Sequence, residues 1–247
     1  MLVSDLGILA AKLSMCSYYK IDRIKRHAVN LGFESKDVKL ISNSGSECVV
    51  VSNDSQVWIV FRGTNDKKDH ISNLHFAKTK NSLEIHIGFN SRLDKILPEV
   101  LEEITKHSSK DVYFAGHSLG GAMAQIVATM ATNIMSTCFT FGCPRVGTLL
   151  FSAKAQHVNH YRFVNCTDPI TVMPPRFFGF VHHGKEIYFN SDADMQTKPS
   201  LISRLNDIYT DLFVHKLFLK KHRIKLYIKN IMVNKQEIDD AFSTHDT

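Results

Sequence analysis

The stretch from Val112 to Ala128 constrains this chain more than any other. It reads V-Y-F-A-G-H-S-L-G-G-A-M-A-Q-I-V-A. Val112 to Ala115 has the apolar, β-type composition of a buried parallel strand. Leu119 onward carries Ala122, Ile126 and Met130 at helical spacing. Between them, Gly116-His117-Ser118-Leu119-Gly120 is a G-x-S-x-G elbow in its expected strand-to-helix context. Such an elbow strains the serine backbone and projects its Oγ, so the residues two before and two after it must be small. Gly116 and Gly120 meet that demand, while Gly121 and Ala122 let the helix lie close on the strand. The helix N-terminus favours the negative charge that forms in acyl transfer.

At 247 residues the chain is long enough for a full core and is most simply one α/β domain, residues 1–247. Hydrophobic content of 44% and charged content of 22% belong to an ordinary globular protein. The cysteines at 16, 48, 138, 143 and 166 are odd in number and form no C-x-x-C pair. That speaks against a metal site or a disulfide framework and for a reducing compartment or simply buried thiols. Leu2, Leu6, Leu9 and Leu13 fit an amphipathic N-terminal helix rather than a signal peptide or transmembrane span. The expectation is a soluble, cytoplasmic protein.

The net charge of +6 raises a nucleic-acid reading, but the basic clusters, Lys20 to Arg26 and Lys216 to Lys229, carry no nucleic-acid-binding motif. They read as solvated faces with a secondary attraction to anionic lipid. No nucleic acid is expected as a partner.

In chain order, Val38 to Ser52 supplies β-type runs around Gly45. Asn53-Asp54-Ser55-Gln56 is a turn, and Val57 to Phe61 is an apolar strand. Leu83 to Ile87 alternates as a strand. Leu93, Leu97, Val100, Leu101 and Ile104 place one apolar stripe on one helix. Cys138 to Phe141 and Tyr161 to Asn165 are further strands. This alternation predicts parallel crossover units, hence a mostly parallel sheet with helices on both faces.

An activated serine needs a base, and the base needs an acid to orient it. Asp168 sits just past a strand, where open parallel sheets place their functional loops; Asp192 and Asp194 are the alternatives. Four histidines follow Asp168: His182, His183, His215 and His222.

The elbow G-H-S-L-G-G-A, with Phe139-Thr140-Phe141-Gly142-Cys143-Pro144-Arg145-Val146-Gly147, resembles the class 3 (fungal-type) lipases of the α/β-hydrolase superfamily. Phe61-Arg62-Gly63-Thr64 resembles the family's F-R-G-[ST], and His86-Ile87-Gly88-Phe89 its H-x-G-F. Asn165 through Pro174 resembles N-x-x-D-P-[VI]…P, and His182 to Glu186 resembles H-x-G-x-E. His222 to Tyr227 resembles the closing H-x-x-x-x-Y.

The resemblance implies a serine ester hydrolase of the α/β-hydrolase fold acting on acyl esters of lipids, with no metal or organic cofactor. Carried over residue by residue, Ser118 is the nucleophile, Asp168 the acid and His222 the base; Thr64 and Leu119 form the oxyanion hole. The family also places a lid at residues 65–81, where this chain departs with His70 for a common Trp and Asn73 for an Asp. Two other classes fit the same motifs: a catalytically silent lipase-like binding module, and an esterase or acyltransferase with a non-lipid substrate.

Overall fold

A computed structural model describes residues 1–64, 77–79, 83–211 and 220–242. One eight-stranded sheet runs through these residues in the order β1 to β8. The strands are β1 (Val38–Asn43), β2 (Ser46–Ser52), β3 (Gln56–Phe61), β4 (Asp111–His117), β5 (Ser136–Phe141), β6 (Asn159–Asn165), β7 (Lys185–Phe189) and β8 (Met195–Gln196). β1, β2 and β3 form an antiparallel meander, β3 through β7 are parallel, and β8 closes the edge antiparallel. This is the mostly parallel sheet of an α/β-hydrolase.

The helices are α1 (Val3–Cys16), α2 (Ile21–Asn30), α3 (Ile87–Leu93), α4 (Leu97–Lys106), α5 (Leu119–Met130), α6 (Leu149–Lys154), α7 (Leu201–Tyr209), α8 (Ile224–Val233) and α9 (Lys235–Phe242). Their placement follows from strand order. Parallel strands laid down consecutively by right-handed crossovers put every crossover on the same side. Accordingly Phe89, Val100, Ile126 and Phe151 of α3 to α6 share one core with Val57, Ile59, Phe114 and Cys138 of the sheet. The opposite face, with Trp58, Val60, Phe139 and Phe163, would lie bare without the two ends of the chain. Leu6, Ala10 and Leu13 of α1 cover it with Ile24 of α2, Tyr227 and Ile231 of α8 and Ile238 of α9. Ser4 is fastened to Asp239 by two hydrogen bonds, N to Oδ1 at 2.9 Å and Oγ to Oδ2 at 2.6 Å.

Two local expectations need correction. Leu83 to Ile87 is not a strand: Ile85 and His86 make only isolated bridges, to Gly147 and Lys78. His86 instead caps α3, its Nδ1 accepting from Gly88 N at 3.1 Å, so the alternation ends in a helix start. The apolar stripe from Leu93 to Ile104 spans two helices, α3 and α4. Pro98 lies at the N-terminus of α4, where its missing N–H costs nothing, and the chain breaks at Asp94–Ile96 just before it.

Candidate active site

Ser118 joins β4 to α5 at φ 59° and ψ −128°, a conformation that costs a non-glycine residue about 1–3 kcal/mol. Its neighbours explain how it persists. A Cβ on Gly116 would fall 2.2 Å from the Gly120 carbonyl carbon. One on Gly120 would fall 2.1 Å from the Phe61 carbonyl oxygen at the end of β3. Ser118 N donates to Phe141 O at 2.9 Å, tying the elbow to β5. Its Oγ is buried and takes no hydrogen bond among the described residues.

Asp168 lies just past β6, following Thr167 at φ 56°. Its carboxylate is fully buried and heavily solvated by protein. Ile170 N donates to Oδ1 at 3.0 Å and Tyr227 Oη to Oδ2 at 2.6 Å. His222 Nδ1 stands 2.8 Å from Oδ2 and 3.0 Å from Oδ1. A carboxylate only accepts, so Nδ1 carries the imidazole proton and Nε2 is the basic nitrogen. Gly142, at φ 58°, underlies the pair: a Cβ there would meet Asp168 Oδ2 at 2.7 Å and His222 Nδ1 at 2.9 Å. Since Gly142 follows Phe141, whose carbonyl holds the Ser118 backbone, one turn fixes the Ser118 main chain and abuts the side chains of Asp168 and His222.

His117 and Tyr227 are motif positions in the sequence, with no contact in the site expected of either. His117, the variable residue of the elbow, donates from Nε2 to the His222 carbonyl at 2.7 Å. Its Nδ1 then accepts from Tyr18 Oη at 2.9 Å, so the turn that follows α1 reaches the site. Burial, and then the neighbouring Asp168, hold the Tyr227 phenol well above its ordinary range, which keeps it a donor. Both contacts join residues far apart in sequence.

A buried ion pair flanks the acid and the base together. Lys221 Nζ lies 3.2 Å from Asp211 Oδ1, with side chains 6% and 0% exposed. Asp211 Oδ2 also accepts from Thr167 Oγ1 at 2.5 Å and from Cys166 Sγ at 3.0 Å. Asn165 Nδ2 donates to Lys221 O at 2.8 Å. Asp211 thus clasps the residues immediately before Asp168 to the residue immediately before His222. Asp211→Ala would strand a buried ammonium, and breaking such a pair costs about 3–5 kcal/mol. Urea unfolding should show that loss, and turnover should fall with KM little changed because the acid and base lose register rather than substrate contacts.

Thr64 and Leu119 line one cleft of about 220 Å³, with Arg62, Arg92 and Met123 on its wall. Gly63 and the elbow touch, since a Cβ on Gly120 would sit 2.9 Å from Gly63 N. The other histidines fall elsewhere. His182 Nε2 donates to Thr171 O at 2.8 Å and braces the turn after Asp168, while His183 stacks on His160. Asp192 and Asp194 belong to a turn organised by Asn190, whose Oδ1 accepts from both their N–H groups. His215 and nearly all of the lid candidate at 65–81 lie outside the described residues. Among the described residues no three His, Cys, Asp or Glu side chains are grouped to hold a metal ion. All five cysteines are buried and free of disulfides.

Comparison with known proteins bears on the same segment. Residues 58–178 match the model of the family described as lipase (class 3). Those residues make up just under half of the chain, and over them it is similar to the class 3 lipases. A lipase of Rhizopus niveus is 29% identical over 170 residues, covering 62% of this chain and 43% of that protein. The chain spans about half the length of the curated relatives it matches. The solved Rhizomucor miehei lipase propeptide complex superposes with a TM-score of 0.67 at 22% identity, covering 88% of this chain and 78% of that one; it shares the fold. A triacylglycerol lipase whose catalytic centre is described as a serine protease triad superposes at 0.63 with 25% identity, over 75% and 79%. Among the described residues no helix of the chain is long and apolar enough to cross a membrane.

Proposed function

We propose that this chain is a single-domain serine ester hydrolase that cleaves acyl esters of lipids, acylglycerols or phospholipids, through an acyl-enzyme. The observation that carries the reading is the bifurcated His222–Asp168 contact packed on the same Gly142 turn that positions the buried Ser118. Ser118 Oγ attacks the ester carbonyl carbon and passes its proton to His222 Nε2. The N–H groups of Thr64 and Leu119 hold the oxyanion, each such donor contributing about 10²–10³ in rate. Collapse of the tetrahedral intermediate breaks the bond to the alcohol, which leaves with the proton from His222. Water, deprotonated by the same imidazole, then releases the fatty acid and restores Ser118. Asp168 fixes the ring and stabilises its charged form. No cofactor takes part in this scheme.

The net charge of +6 supports peripheral contact with anionic lipid. The five unpaired buried thiols support residence in a reducing compartment, the cytoplasm among them. The test is fatty-acid release from dispersed acylglycerols and phospholipids beside hydrolysis of short p-nitrophenyl esters. Hydrolysis in both sets is expected. A folded protein inert toward every ester would leave the binding-module reading, and acyl transfer to added alcohol outpacing hydrolysis would make it an acyltransferase.

A further inference from the structure

Helix α7 is turned inside out. Three of its four polar residues face the protein, Asn206 alone being exposed: Arg204 pairs with Glu186 and lies 4.6 Å over the Tyr188 ring. Asp207, buried, accepts from Tyr188 Oη at 2.9 Å and from Ser191 N at 3.0 Å. Ser203 Oγ donates to Gln196 Oε1 at 3.2 Å. The apolar residues Leu201, Ile202, Leu205, Ile208 and Tyr209 face outward with exposures from 40% to 73%. At about 100° per residue these five fall within an arc of about 120°, opposite Ser203 and Asp207. A soluble helix normally buries such a stripe. Here the polar contacts hold it the other way, and contiguous exposed apolar surface of this kind marks an interaction site.

The rim of the stripe is basic. Lys198 is exposed just ahead of the helix. At its other end, the clasp between Asp211 and Lys221 brings in the exposed Lys220 and Arg223. The exposed acids closest in sequence, Asp192 and Asp194, sit on the turn between β7 and β8. The same clasp ties the end of α7 to the residues preceding Asp168 and His222.

We infer that the outward face of α7 is a docking surface for an anionic lipid bilayer: Leu201, Ile202, Leu205 and Ile208 enter the headgroup boundary, and Lys198, Lys220 and Arg223 meet the lipid phosphates. Tyr209 has the amphipathic ring suited to that boundary. The inference rests on the lipid-ester reading for its choice of partner. It adds the element that makes the contact, which lies beyond the residues matching the family model. The helix would hold the acid and base loops at the lipid surface while the sheet stays in water.

The experiment is flotation of the full chain with vesicles of phosphatidylcholine alone and with phosphatidylglycerol, carrying Ser118→Ala so the lipid stays intact. Binding should need the anionic lipid and weaken with salt. Adding Ile202→Glu and Leu205→Glu should weaken it at least tenfold. In the otherwise native chain the same two changes should leave hydrolysis of a water-soluble short ester unchanged. Ile202→Trp offers a second readout, its emission shifting to the blue on anionic vesicles while the buried Trp58 stays constant. Undiminished flotation of the Glu variant, or an unshifted Ile202→Trp, overturns the inference. So does a wild-type dimer that the Glu changes dissociate without any vesicle binding, which would assign the face to a second copy. Vesicle binding that responds to the Glu changes in a protein without any esterase activity would retire the hydrolase reading and keep the docking surface.

Discussion

Ser118→Ala should lower ester turnover by about 10⁶, the scale seen when the nucleophile is removed from a serine triad. The fold should survive, because the substitution deletes one atom that takes no hydrogen bond among the described residues. The strained φ of 59° is set by the packing of Gly116 on Gly120 and Gly121 and of Gly120 on the end of β3, not by the hydroxyl. Thermal unfolding should therefore move little while single-turnover ester cleavage disappears. A variant that kept more than a few per cent of wild-type turnover would remove Ser118 from the chemistry.

His222→Ala should cost about as much as Ser118→Ala, and the double variant should be no worse than either alone, since the two act as one unit. Asp168→Asn should cost about 10⁴. An amide facing Nδ1 offers a donor where only an acceptor fits, so the ring flips its tautomer and loses the free Nε2. Tyr227 Oη and Ile170 N would keep the side chain in place, so structure should be retained. His215→Ala is the control: an inactive His215 variant beside an active His222 variant would transfer the base to the other histidine. Steady-state kinetics on a short ester, with circular dichroism on each variant, separates these outcomes.

The elbow was legible because its chemistry is local. Gly116 and Gly120 are dictated by backbone atoms within reach of the turn and of the adjacent strand, so the constraint is written in five consecutive residues. Strand patterns were legible for a similar reason in β3 and in β4 from Val112 to Ala115, which are largely buried on both faces and read as apolar runs. The choice among four histidines was of another kind. What brings His222 to Asp168 is Asn165 holding Lys221 O from 56 residues away, and Tyr227 reaching Asp168 across 59. Composition and period carry no trace of such pairings. The same holds for Tyr18 and His117, 99 residues apart. Leu83 to Ile87 misled because alternation over five residues cannot distinguish a strand from the approach to a capped helix. The basic run from Lys216 to Lys229 admits one long helix by periodicity, yet α8 starts only at Ile224, after an extended Arg223.

The central claim is that Ser118 is an activated nucleophile, and phosphonylation by a fluorophosphonate tests it most directly. Folded protein should take up one adduct per chain, peptide mass spectrometry should place it on Ser118, and ester hydrolysis should fall in step with labelling. An adduct on another serine, or full labelling of Ser118 with hydrolysis undiminished, would contradict the account.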